Sequence, residues 1–235
     1  MNKEELLKAV EKFVYEFEYA SEELRGDKEV VLKAVENCGI VLKYASKEMR
    51  GDREVVLKAV ENDGAALYFA SEELKGDKEI VLIAVEQNIE ALIYTTSELQ
   101  GDKDVALKAV EKDGGALLFV SDELLGDKEV VLKAIKNDGF SFRLASKELK
   151  GDKKFILKAV AIDGFFVLQF ASEELRGDKE VVLIAVKQYG ESLQFASEEL
   201  RRDKEVVQRA IEQDADALQF ASKELQKLFK KNKRK

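Results

Sequence analysis

The stretch Asp52–Gly76 reads DREVVLKAVENDGAALYFASEELKG. With Asp52 counted as offset 0, apolar residues fall at offsets 3, 4, 5, 7 and 8, then at 14, 15, 17, 18 and 22. Each set has the spacing of one helix face. The Asp has the chemistry of an N-cap, and Glu54 behind it suits the positive end of a helix dipole. Gly64, at offset 12, predicts a left-handed residue that stops the first helix. A second helix is expected from offset 13 through the A-L-x-F-A run. Two readings are open for Ser71 at offset 19. It caps a separate turn, S-E-E-L, or it lies inside a longer second helix; the separate turn is preferred. Gly76 closes the unit.

The unit is copied along the chain. Asp recurs as Asp27, Asp52, Asp77, Asp102, Asp127, Asp152, Asp178 and Asp203, every 25 residues except for a step of 26 between Asp152 and Asp178. KEELLKAVEKF after Asn2 fits the same pattern. Nine units therefore start near residues 2, 27, 52, 77, 102, 127, 152, 178 and 203. Helices this short are marginal alone, and stacked copies bury one continuous core. The fold class is all-α: an α-solenoid of about nine tandem helix-turn-helix repeats, one domain over residues 1–227, followed by a basic tail, 228–235. The eight aspartates are its structural helix caps. Offset 17 holds Tyr19, Tyr44, Phe69, Tyr94, Phe119, Leu144, Phe170, Phe195 and Phe220 and is expected to form a core ladder. Leu24 to Leu225 at offset 22 and the small Ala20, Ala45 and Ala70 at offset 18 belong to the same core. Glu5, Glu16 and Gln208 stand where inner units are mostly apolar or small, as polar outer faces of end repeats would require.

Asp27 also ends the tripeptide Arg25-Gly26-Asp27, which recurs at residues 50–52 and 176–178. Integrins read that tripeptide on secreted ligands. Here other units put Lys75, Gln100, Leu125 and Lys150 at the Arg position, so only Gly-Asp is common. The three tripeptides are expected to be helix junctions, with no integrin binding.

Composition narrows the function classes. The chain is 46% hydrophobic and 37% charged with net charge −8, so it can bury a core and stay soluble. The stretch from Lys227 to Lys235 carries six positive charges, so the remainder is more acidic still. An acidic body argues against binding duplex DNA. Cys38 is the one cysteine, so no disulfide forms within the chain. Glu4, Glu5 and Glu11 stand where a signal peptide would be apolar, and no run approaches the ~18 apolar residues of a membrane span. The expected location is cytoplasmic.

The unit D-K-E-V-V-L-x-A-V-x-x-x-G-x-A-L-x-F-A-S-E-E-L, as in DKEVVLIAVKQYGESLQFASEEL from Asp178 to Leu200, resembles a tandem helical-repeat family of unknown function. That family is associated with large DNA viruses, protists and host-associated bacteria. The resemblance covers essentially all nine units and implies the helix pair. It implies no catalytic or ligand residue.

Chemistry is sparse. Histidine is absent, which removes His-based triads and metal sites. Cys38 has no His partner, no phosphate-binding G-x-x-x-x-G-K-[ST] occurs, and the pairs Glu22/Glu23, Glu72/Glu73 and Glu173/Glu174 recur as a solvated face would. No enzyme activity, metal or cofactor is expected. Interest shifts to where the units differ. Repeat 7 holds the extra residue, and Phe140, Ile162, Phe165 and Phe166 are expected to gather there. The other open reading has the bulge fold inward, with Phe166 or Val167 filling the core. A second candidate is offset 16, where Tyr68, Ile93 and Leu118 are apolar and other units carry Glu18, Lys43, Arg143 and Gln169. The expected function is a non-catalytic scaffold that binds another protein through these variable positions. Two alternatives remain: a binder of a small anionic molecule or RNA through Lys103, Lys108, Lys128, Lys133 and the tail, and a structural homo-oligomer built on the Tyr68 ridge.

Overall fold

The computed structural model describes residues 1–232. Among them every regular element is an α-helix or a 3₁₀ helix. The chain divides into two compact units, Met1–Ser121 and Asp122–Lys235. The first holds repeats 1 to 4 and most of repeat 5, and the second holds the last turn of repeat 5 and repeats 6 to 9. Within each unit the repeats stack side by side.

Repeat 3 shows how one copy is built. Asp52 Oδ1 accepts from the Glu54 amide at 3.0 Å and the Val55 amide at 3.1 Å, opening an α-helix over Arg53–Asn62. Val55, Val56, Ala59 and Val60 form its buried stripe. The helix ends where Asp63 turns extended, at φ −148° and ψ 114°. The Asp63 side chain then accepts from the Ala65 amide and starts a 3₁₀ helix, Gly64–Phe69. Ser71 Oγ accepts from the Leu74 amide and caps one α-turn, Glu72–Lys75. The separate turn is thus the form the chain takes.

The glycine at offset 12 acts differently from the sequence expectation. No described residue has a positive φ, so no left-handed stop exists. The extended residue before the glycine ends the helix instead. Gly39, Gly64 and Gly190 are buried, and a Cβ on them would run into the carbonyl oxygens of Ala59, Ala84 and Ala210 on the next repeat. At these three positions only hydrogen leaves room for the 3₁₀ segment so close to the following helix, although repeat 4 carries Ile89 at the same offset.

The aromatic ladder at offset 17 also needs correction. The buried ladder is offset 15: Phe17, Leu42, Leu67, Leu92, Leu117, Phe142, Leu193 and Leu218, with Leu168 taking that place in repeat 7. The offset-17 rings from Tyr44 to Phe220 are half-buried, and Tyr19 is 77% exposed. Tyr44 spends its hydroxyl on the Glu18 carboxylate at the surface, at 2.7 Å. These rings line the rim of the core.

Neighbouring copies are joined by three recurring devices. The amide at offset 19 donates to the carbonyl at offset 23 of the preceding repeat: Ser46 to Arg25, Ser71 to Arg50 and Ser197 to Arg176, each at 2.9 Å. An amide side chain at offset 10 reaches back and serves the frayed end of the preceding helix. Asn62 accepts from the Gly39 amide and donates to the Glu36 carbonyl, and Gln188 does the same with Gly164 and Ala161. Third, the capping aspartate uses its other oxygen for a cation of the preceding repeat: Lys3 with Asp27, Lys28 with Asp52, Lys78 with Asp102, Lys153 with Asp178 and Lys179 with Asp203, at 2.7 to 2.9 Å.

This last device makes stability depend on pH. The Lys3 ammonium holds the Asp27 carboxyl below its ordinary range, against the opposing effect of burial and with help from the Val30 amide; Lys179 does likewise for Asp203. A carboxyl lowered on folding adds stability that is full above the unfolded pKa of about 3.9 and is lost as pH falls through the folded value. Conversely, Lys3, Lys28 and Lys179 are raised by their carboxylate partners and add stability below about 10.4 that is lost as pH rises further. The urea midpoint is therefore expected to be level across the neutral range and to drop below about pH 4. A midpoint that holds steady down to pH 2 or so would show that the ladder adds nothing.

Candidate functional site

Repeat 7 absorbs its extra residue by changing helix type. Elsewhere the segment closes with an i→i−3 bond, as from Ala70 to Leu67. In repeat 7 Ala171 donates to Val167, an i→i−4 bond, and Gly164–Phe170 is an α-helix. Seven residues at 1.5 Å rise cover nearly the length of six at 2.0 Å, so the ends still meet their neighbours. Asp163 Oδ1 caps the start, accepting from the Phe165 and Phe166 amides at 3.0 and 2.8 Å.

The change decides which side chains go inside. Val167 and Leu168 are fully buried, while Phe165 and Phe166 are half-exposed. Phe166 meets Phe140 of repeat 6 edge-on at 5.4 Å, and Phe165 meets Phe195 of repeat 8 at 5.0 Å. Phe140 also touches Phe170 at 5.6 Å, and Phe165 touches Phe166 at 5.2 Å, so five rings form one connected network. The Arg143 guanidinium lies 4.9 Å from the Phe140 ring centroid. The structure thus brings together Phe140, Phe165 and Phe166. Ile162 stands exposed one residue before Asp163, where Asn62 and Gln188 carry the bridging amide. Phe155, also unusual for its offset, is core: it stacks on Phe142 at 6.2 Å.

The second candidate is more open. Tyr68, Ile93 and Leu118 are 55%, 52% and 55% exposed on three successive repeats of the first unit. A 3₁₀ helix turns 120° per residue, so offset 16 stands on the outer side while offset 15 points into the core. Tyr68 packs edge-on against Phe69 at 4.9 Å and Tyr94 at 5.1 Å, which joins the exposed positions to the half-buried rings beside them. Lys75 Nζ sits 5.7 Å from the Tyr68 centroid and pairs with Glu72 at 2.7 Å. The result is an apolar strip with a charged margin.

The remaining candidates are tied up or isolated. The carboxylate of Arg25-Gly26-Asp27 is held on one side by the Val30 amide at 3.2 Å and on the other by Lys3 at 2.7 Å. Lys108 pairs with Glu86 and Lys128 with Asp152; Lys103 and Lys133 also have partners. Cys38 is half-buried at the end of a helix. Among the described residues no group of three or more His, Cys, Asp and Glu side chains could hold a metal ion. No described helix is long and apolar enough to cross a membrane. Of the basic tail, Leu228 to Asn232 continue a helix that begins at Lys223, and residues 233–235 lie outside the described residues.

The sequence had pointed to the ring cluster and the strip, but not to the amide bridges. Their signal is the run Asn37, Asn62, Gln87, Asn137, Gln188 and Gln213 at one offset, a polar constancy with no place in an amphipathic pattern.

A comparison with curated proteins and one with solved structures return no match. The family described as "Domain of unknown function (DUF4116)" matches residues 2–50, 52–100, 102–150, 152–201 and 178–226. Each match spans two of the structural repeats, and the last two overlap on repeat 8 because nine copies cannot be paired evenly. With nearly its whole length matched, the chain belongs to this family of tandem helical repeats of unknown function.

Proposed function

We propose that the chain is a non-catalytic scaffold that binds another protein, and that the strip Tyr68, Ile93 and Leu118 is the binding surface. The observation behind this reading is three large apolar side chains, each more than half exposed, at one offset of three successive repeats. Apolar surface of that kind, rimmed by charge, is the usual mark of a partner site. The absence of histidine from the sequence supports a role without acid–base catalysis at neutral pH. A cytoplasmic location accords with the single cysteine. Integrin recognition through Arg25-Gly26-Asp27 has little support, because that carboxylate is already engaged. Binding of a small anion or RNA has less support than protein binding, because the lysines it would use are paired.

The test is an Ile93→Asp/Leu118→Asp double variant. Both positions are open to water, so the melting temperature should stay within about 3 °C of wild type. Proteins captured from lysate by wild type should be lost by the variant. Capture of the same proteins by the folded variant would overturn the reading. Sedimentation at several concentrations separates a foreign partner from self-association. A wild-type dimer that the variant abolishes would move the conclusion to homo-oligomerisation.

A further inference from the structure

The strip has a spacing and a charge setting that one class of partner matches. Packed helices lie about 8–10 Å apart, so Tyr68, Ile93 and Leu118 recur along the stack at about that interval. An α-helix rises 1.5 Å per residue, which puts residues seven apart about 10.5 Å from each other on one face. Over the two steps between three repeats the helix covers about 21 Å against about 16–20 Å for the strip, a near match.

The margin of the strip is acidic. Glu72, Glu73 and Glu98 lie exposed on the turns that follow Tyr68 and Ile93, and Glu90 stands one 3₁₀ turn before Ile93. Their nearness to the strip is visible at Glu72, whose partner Lys75 lies over the Tyr68 ring. Lys75 and Glu72 thereby offset one another's charge. Repeats 2 and 6, which have Lys43 and Arg143 in place of the apolar residue, carry Lys47 and Lys147 where repeat 3 has Glu72. Repeats 1, 7 and 8 keep glutamate there beside a polar offset 16, and the glutamate equivalent to Glu73 and Glu98 is present in every repeat, so the acidic margin is general and borders large apolar side chains at repeats 3 to 5.

We infer that the strip takes one amphipathic α-helix of a partner protein, with a large apolar residue at every seventh position and lysine or arginine on both flanks. Its apolar residues lie on Tyr68, Ile93 and Leu118, and its cations meet Glu73, Glu90 and Glu98. This rests on the reading of the strip as a partner site.

The probe is a fluorescein-labelled, alanine-based peptide of about 20 residues, with leucine at every seventh position and flanking lysines. Two companions accompany it, one with the same composition but scattered leucines and one with glutamate for lysine. Anisotropy is read against the full chain at low and high salt. The first peptide should bind, and Ile93→Ser/Leu118→Ser should weaken it at least about tenfold. Glu73→Lys/Glu98→Lys should weaken it at low salt and much less at high salt. Equal binding of the scattered peptide, or binding unchanged by Ile93→Ser/Leu118→Ser, would overturn the inference. If the peptide fails to bind while Ile93→Asp/Leu118→Asp still loses its captured proteins, the helix is wrong and the strip stands. If that variant loses nothing either, both fall.

Discussion

Gly64→Ala should lower the unfolding free energy by about 3 kcal/mol, while Gly151→Ala should change it by less than about 0.5 kcal/mol. The two changes are chemically identical, and neither glycine has a positive φ. The difference lies in what the new methyl meets. At Gly64 it is driven into the carbonyl of Ala84, with the Asn88 amide also close. Both are backbone atoms of the next repeat's helix, which cannot swing aside as a side chain could. The helix must move away, and the core between the two repeats opens with it. At Gly151 nothing lies within 4 Å, so the methyl enters open space and only the unfolded chain loses freedom. Urea unfolding of the two variants measures both. If Gly64→Ala is as mild as Gly151→Ala, close approach is not what this glycine provides.

Phe142→Ala is expected to cost about 3–5 kcal/mol. Phe142 is fully buried at offset 15, where most repeats carry leucine, and Phe155 of the next repeat fills offset 3, where valine is usual. Their rings stack at 6.2 Å with 30° between planes. Each enlarged residue fills space against the other. The substitutions to the residues common elsewhere, Phe142→Leu and Phe155→Val, should therefore fail to add. A double-mutant cycle should give a coupling of about 0.5–1.5 kcal/mol. Strict additivity would mean that the rings are neighbours without being partners.

Much of the fold could be read from one repeat because its grammar is redundant. Asp at offset 0 and the V-V-x-x-A-V stripe identify the first helix even where single positions drift. Glycine was misread because its commonest use is the left-handed turn, and a sequence does not reveal a neighbour's carbonyl one repeat away. The aromatics at offset 17 were misread because rings usually belong to cores. The tyrosines among them, Tyr19, Tyr44 and Tyr94, were the clue, since a phenol wants a polar partner such as the Glu18 carboxylate that Tyr44 finds. At repeat 7 both readings were partly right: the bulge feeds Val167 to the core and leaves Phe165 and Phe166 half outside. Which of two adjacent residues turns inward depends on helix type, and one inserted residue changes that type. The strip at Tyr68, Ile93 and Leu118 was easier to find, because it is a departure from charge at a fixed offset.

The bonds from Ser46, Ser71 and Ser197 to the preceding carbonyl have a consequence for how such a chain changes length. They join main-chain atoms, so the link does not depend on which side chains the two copies carry. Excision of Asp52–Gly76 would bring Gly51 against Asp77, the same Gly-Asp junction that was cut, and would let Thr96 take the carbonyl of Arg50 that Ser71 now uses. Copy number can therefore drift by whole repeats during duplication and loss while each seam keeps its chemistry, and selection is left free to act on the outward-facing letters of each copy.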